Sequence, residues 1–525
     1  MIHGAFACID AFRSLFGAVL DGNEIDVTLR YEDTRDVLYC EESCRCTDEK
    51  YVLSVSEKDD GFVVCVRCSG EKSGFCGLCG LAEKYRDRQL LPGEYADAPA
   101  FAVRGYIEGF YGKPWSPAER LEILRFAAKH RMNAVYYAPK DDPYHRKLWR
   151  ETYPPEALEG LKALLDTAER YYVTFTYCIA PGLSIRYADA EEFAALMRKT
   201  EQLYALGVRS FGLLLDDIDE TLRFPEDRAR YGELVNAHID LIRRYEEALS
   251  GLDPAIRLTV CPTVYHGGGN EYYISKLGRR ISPRTSIFWT GRDICSRELT
   301  EYEALRFFES TFHKPLYWDN YPVNDMAMHH EMHLGPVINR APLLGRAAEG
   351  IVANCMEYAE CTRIPLATVA AYLWEGERYA PEKAWEQAIT EAVGAEAAPA
   401  FTVFADLLRT SCLLDENGSQ LKRTLLAVSS AFAAGEPASA KETAAAYLRK
   451  MKDCEAFLRR DLPLCRELGA WAEKFRVLIR LFETAVAYMA EKKRSQTTAL
   501  RALVAEYNSL PAKLVEDMDI LEFLD

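Results

Sequence analysis

Long hydrophobic runs are absent from this 525-residue sequence, and no segment approaches the roughly 20 apolar residues of a membrane-spanning helix. Positive charge is also scarce, because 64 basic residues face 80 acidic ones and the formal net charge is −16. An acidic chain is a poor partner for nucleic acid or an anionic membrane. The first residues lack the basic start of a secretory signal, and Asp10 and Arg13 interrupt the apolar stretch. We therefore expect a cytoplasmic protein with no nucleic-acid or membrane partner.

Two kinds of chemical motif are missing as well. The sequence contains no glycine-rich phosphate-binding loop and no cluster of His, Asp and Glu with metal-ligand spacing. The nearest approach, His329-His330-Glu331 with His333, does not match H-E-x-x-H, and we expect these side chains to be solvated or packed. We therefore expect no cofactor and no catalytic metal.

The sixteen cysteines allow two interpretations. Without an export signal they are most simply free thiols in a reducing compartment. Two C-x2-C pairs in the first hundred residues also resemble a zinc site, although the seven residues between the pairs are fewer than usual. Structural zinc therefore stays open as the alternative to buried thiols. The residues concerned are Cys65, Cys68, Cys76 and Cys79, with Cys40, Cys44 and Cys46 upstream.

The chain is too long for a single hydrophobic core and changes character twice along its length. Residues 1–98 alternate short strand-like runs with helix and predict a small α/β domain. Residues 99–378 alternate apolar runs with helical patterns, and residues 379–525 carry helical patterns only. We predict a (β/α)8 barrel of the TIM type in the middle and a bundle of about five or six helices at the end.

Eight apolar runs in the middle segment end in polar residues, as buried parallel strands do. A capping box, Ser116-Pro117-Ala118-Glu119, opens the first of the helical patterns between them. Eight strands alternating with helices are the signature of the barrel. The runs are Val103–Gly109, Ala134–Ala138, Val173–Ala180, Phe211–Leu215, Ile256–Cys261, Ser286–Trp289, Pro315–Trp318 and Gly350–Ala353.

The fourth run ends in two adjacent carboxylates, Asp216 and Asp217. Neighbouring residues on a strand point to opposite sides, so both can reach one pocket only where the strand has ended. Two carboxylates close together push their pKa values apart, so that one stays ionised while the other holds a proton. In a barrel this doublet would stand at the carboxyl ends of the strands, where the chemistry of such folds is found.

Other polar and aromatic residues follow the remaining strands. Together they offer hydrogen-bond partners for hydroxyl groups and an aromatic wall for the apolar parts of a sugar. The sequence therefore predicts a sugar-binding pocket around the doublet. The candidates are Gly109, Lys140, Tyr265, Trp318, Asn320, Asp325 and Asn354.

Several long motifs resemble those of glycoside hydrolase family 84, the β-N-acetylglucosaminidases that include O-GlcNAcase and carry a hyaluronidase label. The resemblance covers the barrel in order, from residue 101 to about 376, and extends more weakly into Gly77–Pro99 and from Tyr379 onward. One departure is Cys355 after Asn354, where relatives usually carry proline. The motifs are Arg104 to Trp115, Tyr137 to Arg146, Asp216-Asp217-Ile218-Asp219, Cys261-Pro262-Thr263-x-Tyr265, Trp289-Thr290-Gly291 and Trp318-Asp319-Asn320-x4-Asp325.

This resemblance implies a retaining reaction in which the 2-acetamido group of the substrate is the nucleophile and closes to an oxazoline. It implies that Asp216 orients and polarises the acetamide and that Asp217 is the general acid and then the base. Tyr265 would steady the acetamide oxygen and Trp318 would wall its pocket.

For the remaining site residues the resemblance implies binding. Asn320 would hold the acetamide or the first acid. The sugar hydroxyls would be bound by the Gly109 carbonyl, Lys140, Asp325 and Asn354.

We therefore expect an exo-acting hydrolase of terminal β-linked N-acetylglucosamine. Two alternatives stay open: an endo-acting hyaluronidase-type enzyme, and a non-catalytic glycan-binding or interaction protein. The sequence indicates neither the natural aglycone nor the oligomeric state.

Overall fold

The structure, a computed structural model, describes residues 2–3, 6–21, 24–32, 47–59, 61–415 and 418–515. Within these ranges no helix is both long and apolar enough to cross a membrane. The chain forms a small sheet with two helices, then a closed barrel, then a group of helices.

The first part is a five-stranded sheet with two helices. Its strands are β1 (Ile2–His3), β2 (Ile25–Tyr31), β3 (Tyr51–Lys58), β4 (Gly61–Cys68) and β5 (Gly93–Asp97), and its helices are α1 (Ala7–Phe16) and α2 (Glu71–Arg86). The strand order is β1-β2-β4-β3-β5, with β3 antiparallel to both neighbours. Apolar residues alternate along the strands, so that one face packs against the helices.

The cysteines of this part are packing residues where the structure describes them. Cys65 and Cys68 fall three positions apart on β4 and so lie on opposite faces of the sheet. Cys76 and Cys79 are buried in α2. No group of three His, Cys, Asp or Glu side chains arranged to hold a metal ion occurs among the described residues. Cys40, Cys44 and Cys46 lie outside them.

Eight parallel strands close the barrel that the apolar runs predict, and each run falls on a strand. The strands pair in sequence order, and the last, β13, pairs with the first, β6. Nearly every strand residue is buried, because side chains fill the barrel on one face and meet helices on the other. The strands are β6 (Val103–Glu108), β7 (Ala134–Tyr137), β8 (Thr174–Ile179), β9 (Ser210–Leu214), β10 (Arg257–Cys261), β11 (Ser286–Trp289), β12 (Pro315–Asp319) and β13 (Gly350–Asn354).

Helices surround the barrel. The predicted capping box is confirmed at the first of them, where the Glu119 amide donates to the Ser116 hydroxyl and the Ser116 amide donates to the Glu119 carboxylate. The helices are α3 (Pro117–Lys129), α4 (Pro155–Arg170), α5 (Ala190–Leu206), α6 (Pro225–Tyr231), α7 (Leu234–Leu252), α8 (Tyr272–Gly278), α9 (Glu301–Thr311), α10 (Leu344–Ala347) and α11 (Ala359–Glu375).

The last part is helical, as predicted, but the described residues contain seven helical segments instead of five or six. The short α16 begins at Pro463, where a break is expected because proline suits the first turn of a helix. The additional break separates α17 from α18. The segments are α12 (Pro381–Val393), α13 (Ala398–Asp406), α14 (Ser419–Ala433), α15 (Pro437–Leu458), α16 (Pro463–Glu467), α17 (Gly469–Glu491) and α18 (Arg494–Ser509). We keep 1–98, 99–378 and 379–525 as the proposed domain limits.

A buried ion pair joins the small sheet to the barrel. The guanidinium of Arg104, on β6, donates to both carboxylate oxygens of Glu49 at 3.0 and 2.7 Å. Both side chains are almost completely buried. The Asn133 side chain also donates to Glu49. Both charges are removed from water, so removal of one partner leaves the other charge buried and unpaired, which is costly.

We expect Glu49→Ala to destabilise the protein by about 3–5 kcal/mol, because it leaves the Arg104 charge buried without its carboxylate. The measurement is the shift in the urea midpoint of unfolding. The matched control is Glu94→Ala, which breaks the pair between Arg67 and an exposed Glu94 and should cost about 1 kcal/mol or less. Equal shifts for the two variants would contradict the role given to the buried pair.

Candidate active site

The predicted site residues line one cavity at the carboxyl ends of the barrel strands. Its volume is about 560 Å³, which is within the usual range for a small-molecule pocket. All nine predicted residues line it: Gly109, Lys140, Asp216, Asp217, Tyr265, Trp318, Asn320, Asp325 and Asn354. The structure thus brings together every residue that the sequence assigned to the site, while their individual roles stay proposals.

The two adjacent carboxylates share the pocket because the backbone turns immediately after β9. Leu215 still pairs with β10, through its amide to the Cys261 carbonyl at 2.8 Å. The Thr263 hydroxyl donates to the Leu215 carbonyl at 2.7 Å and holds the strand end. Asp217 then adopts a left-handed backbone conformation with φ of 52°. This conformation is unfavourable for a residue with a side chain, and such strain is typical of functional sites.

Asp217 is held by two tyrosines. The Tyr265 hydroxyl donates to one carboxylate oxygen at 3.1 Å, and the Tyr111 hydroxyl donates to the other at 3.0 Å. The Arg146 guanidinium in turn donates to the Tyr111 hydroxyl at 3.1 Å. Each carboxylate oxygen of Asp217 thus has a tyrosine donor.

Asp216 has different surroundings. It lies deeper in the pocket than Asp217, and within the described chain no other side chain donates a hydrogen bond to its carboxylate. Burial raises the pKa of Asp216, the Lys140 ammonium opposes that rise, and the Asp217 charge adds to it. Arg146 also opposes the rise in the pKa. The carboxylate is therefore available to accept a hydrogen bond from a ligand.

Asn320 organises one wall of the pocket. Its side-chain oxygen accepts from the Trp318 indole N–H and from the Asn354 amide, each at 3.0 Å. Its side-chain nitrogen donates to the Ile294 carbonyl at 2.8 Å. One side chain thus connects the ends of β12 and β13 with the segment after β11, and it fixes the plane of the indole ring.

Two features of this wall indicate a tightly fitted polar ligand. A β-carbon on Gly109 would come within 2.6 Å of the Trp318 ring, so that only glycine fits there. The Asn354 side-chain oxygen is buried, and no hydrogen-bond partner for it is found in the described chain. A buried acceptor without a donor is costly, and a ligand hydroxyl would supply that donor.

Asp325 and Lys140 complete the pocket from opposite sides of Tyr111. The Tyr111 amide donates to the Asp325 carboxylate at 2.7 Å, and the Lys140 ammonium lies 4.9 Å from the centre of the Tyr111 ring. Burial raises the pKa of Asp325, whereas the Tyr111 amide and Lys140 oppose the rise. A carboxylate and an ammonium group are then available to the hydroxyls of a bound sugar.

Two residues with evident contacts to the acids were not assigned from the sequence. Tyr111 lies two residues beyond Gly109, at the end of the first barrel strand, and that position is a signal that could have identified it. Arg146 lies nine residues after β7 and donates a hydrogen bond to the Tyr111 hydroxyl, so its role depends on the fold. The pocket also contains Thr290, Ile294 and Cys295 from the segment after β11.

A closed parallel barrel with two adjacent carboxylates, amides and a tryptophan at the carboxyl ends of its strands is an arrangement typical of glycoside hydrolases of the TIM-barrel type. A family model described as beta-N-acetylglucosaminidase matches residues 104–406. The chain therefore belongs to the beta-N-acetylglucosaminidase family, and the resemblance to glycoside hydrolase family 84 is confirmed.

Individual relatives agree with this assignment. The Protein O-GlcNAcases of Rattus norvegicus and Mus musculus are each 32% identical over 274 residues, which is 51% of this chain and 29% of theirs. The chain thus aligns with less than a third of the length of these relatives. A solved structure of a mutant O-GlcNAc hydrolase from Thermobaculum terrenum is 32% identical with a TM-score of 0.75, covering 81% of this chain and 94% of that one. The structure of CpGH84B is 25% identical with a TM-score of 0.81, covering 99% and 95%.

We expect Arg146→Met to move the acid limb of the kcat/KM profile to higher pH on an aryl β-N-acetylglucosaminide. Arg146 lowers the pKa of Asp216, so its removal raises that pKa, and the required anion is lost earlier as the pH falls. The matched control is Arg125→Met, which removes an exposed arginine on α3. An acid limb that stays in place or moves to lower pH would contradict this electrostatic assignment.

Proposed function

We propose that the protein is a retaining exo-β-N-acetylglucosaminidase, similar to O-GlcNAcase, that releases terminal β-linked N-acetylglucosamine by substrate-assisted catalysis. The observation that supports this most directly is the unequal environment of two adjacent carboxylates. Asp217 accepts two tyrosine hydroxyls, whereas Asp216 faces the pocket without a side-chain donor in the described chain. One acid is therefore arranged to exchange a proton and the other to bind a polar ligand group.

In the first step Asp216 accepts the N–H of the substrate's 2-acetamido group. The hydrogen bond turns the acetamide oxygen toward the anomeric carbon and increases its electron density. That oxygen attacks the anomeric carbon, the glycosidic bond breaks, and the sugar closes to an oxazolinium ion, which becomes the neutral oxazoline as its N–H proton passes to Asp216. A nucleophile held inside the substrate gains on the order of 10⁵ M or more in effective concentration.

Asp217 supplies and then recovers the proton. It protonates the leaving oxygen as the glycosidic bond breaks, then takes a proton from the water that opens the oxazoline. Two displacements at the anomeric carbon retain its configuration. Tyr265 has two uses in this scheme. When substrate binds, its hydroxyl would cease to donate to Asp217 and would donate to the acetamide oxygen instead, which steadies that oxygen. The same movement takes one tyrosine donor away from Asp217 and leaves that carboxylate oxygen available to the leaving group.

The remaining groups would bind one terminal sugar, which favours exo-cleavage. Lys140, Asp325 and the side-chain oxygen of Asn354 are available to hydroxyl groups. Gly109, which also lines the pocket, would offer its backbone carbonyl. Trp318, fixed by Asn320, would form the wall behind the acetamide. The substrate class we propose is N-acetylglucosamine in terminal β-linkage on a protein or a glycan.

Leaving-group dependence tests the proposed division of roles. The wild type should hydrolyse aryl β-N-acetylglucosaminides. Asp217→Ala should keep most of its rate on a dinitrophenyl glycoside, which needs little protonation, and lose roughly 10²–10⁴-fold on an alkyl glycoside. Asp216→Ala should lose activity on both substrates, because formation of the nucleophile itself is impaired. The measurement is kcat/KM for each variant across substrates of graded leaving-group pKa.

The matched control is Asp219→Ala, which removes an exposed carboxylate two residues beyond the pair. It should leave kcat/KM close to that of the wild type on all substrates. The same leaving-group dependence in both acid variants would show that the roles are wrongly assigned. Internal cleavage of hyaluronan without release of terminal sugar would support the endo-acting alternative, and no turnover by the wild type would support a non-catalytic protein.

A further inference from the structure

Two cysteines from distant parts of the chain meet beside the pocket. Cys295, in the segment between β11 and α9, lines the cavity, and Cys412 lies in the segment that follows α13. The two thiols are near enough that each shifts the pKa of the other. Both are partly exposed, whereas every other described cysteine except Cys65 is buried.

The two segments are held against each other independently of the cysteines. The guanidinium of Arg297 and the carboxylate of Asp415 form an ion pair at 2.5 Å. The Asn339 side chain donates to the Leu413 carbonyl at 2.9 Å, and its backbone carbonyl accepts from the Leu299 amide at 3.0 Å. The two segments that carry the thiols are therefore in contact, so that a disulfide would join parts of the chain that are already packed together.

The thiol pair also contacts the wall of the pocket. Cys412 Sγ lies 3.7 Å from the Asn320 carbonyl oxygen, to which its thiol donates. The Asn320 side chain holds the Ile294 carbonyl, the residue immediately before Cys295. A covalent change at the two sulfurs would therefore act on the same segment that contributes Ile294 and Cys295 to the cavity.

We propose that Cys295 and Cys412 form an oxidation site at which a hydroperoxide converts the two thiols into a disulfide across the pocket wall. The Cys295 thiolate attacks the peroxide oxygen and becomes a sulfenic acid, while the other oxygen leaves as hydroxide and takes up a proton to become water. The Cys412 sulfur then attacks the sulfenic sulfur and expels a second water. Two thiols and one hydrogen peroxide thus give one disulfide and two waters.

The order of attack follows from the electrostatics of the pair. The single Cys412 S–H donates to the Asn320 carbonyl while both thiols are neutral. Once Cys295 ionises, the same S–H becomes its donor, which lowers the pKa of Cys295 and raises the pKa of Cys412. The thiolate is the reactive form of cysteine, so Cys295 is the attacking residue and Cys412 resolves the sulfenic acid. The buried cysteines have raised pKa values, Cys178 and Cys261 among them, and are poor competitors.

The disulfide should weaken substrate binding. Its formation draws the Cys295 sulfur toward Cys412 and away from the cavity, which removes one contact from the pocket wall. Loss of a contact the size of one methylene corresponds to a rise in KM of roughly fourfold. The effect should be reversed by a dithiol reductant, because the disulfide is partly exposed.

The test uses the full chain, reduced and folded, treated with hydrogen peroxide and digested under non-reducing conditions for mass spectrometry. We expect the peptides that contain Cys295 and Cys412 to appear joined, with a mass loss of about 2 Da for the two hydrogens removed. This arm does not depend on the proposed function. The second measurement, which rests on the proposed function, is KM for an aryl β-N-acetylglucosaminide. This KM should rise on oxidation and return to its original value after reduction.

Two variants serve as matched controls. Cys412→Ser keeps a hydroxyl donor at the Asn320 carbonyl and should leave the basal KM unchanged but insensitive to peroxide. Cys65→Ser removes the other partly exposed thiol and should stay as sensitive as the wild type. Absence of the joined peptides, or a disulfide between other cysteines, overturns the proposal. A disulfide at this pair with an unchanged KM overturns its link to the pocket.

Discussion

The site depends on one constraint: two neighbouring carboxylates must reach the same pocket from a strand on which neighbours point apart. The chain meets it by ending β9 at Leu214 and turning Asp217 into a left-handed conformation. The turn is held by the pairing of Leu215 with β10 and by the Thr263 hydroxyl on its carbonyl. The closed barrel supplies these contacts, and its packed interior leaves little freedom for the strand end to relax. The strained backbone is thus supported by the fold.

The same fold makes the two acids unlike each other. Asp217 accepts hydrogen bonds from Tyr111 and Tyr265, which lie in the segments after β6 and β10. Asp216 instead has Lys140 and Arg146 as its nearby positive charges. A second set of hydrogen bonds, centred on the Asn320 side chain, holds Trp318 in the wall of the pocket. The Asn320 backbone also accepts from Cys412 of the helical part, so residues far beyond the barrel contact the pocket. Binding and proton transfer therefore rest on different sets of contacts.

Much of this could be predicted from the sequence. Each buried strand is an apolar run that ends in polar residues, so the eight strands and the residues at their carboxyl ends could be predicted. All nine predicted site residues line the cavity. Contacts between residues that are distant in the sequence could not be predicted. The bond from Tyr111 to Asp217, the support from Arg146 and the meeting of Cys295 with Cys412 depend on how the barrel closes and how the helices cover it. The break between α17 and α18 was missed because no proline or glycine marks it in the sequence.

The central claim is that the substrate's own acetamide oxygen is the nucleophile and that Asp216 activates it. The most direct measurement is kcat/KM for aryl glycosides whose acetyl methyl carries zero, one, two or three fluorines. Fluorine withdraws electrons from the carbonyl oxygen while it changes the shape of the group very little. The account predicts a steep, progressive fall in kcat/KM along the series. A flat series, or a glycosyl ester trapped on Asp216 or Asp217, would contradict it.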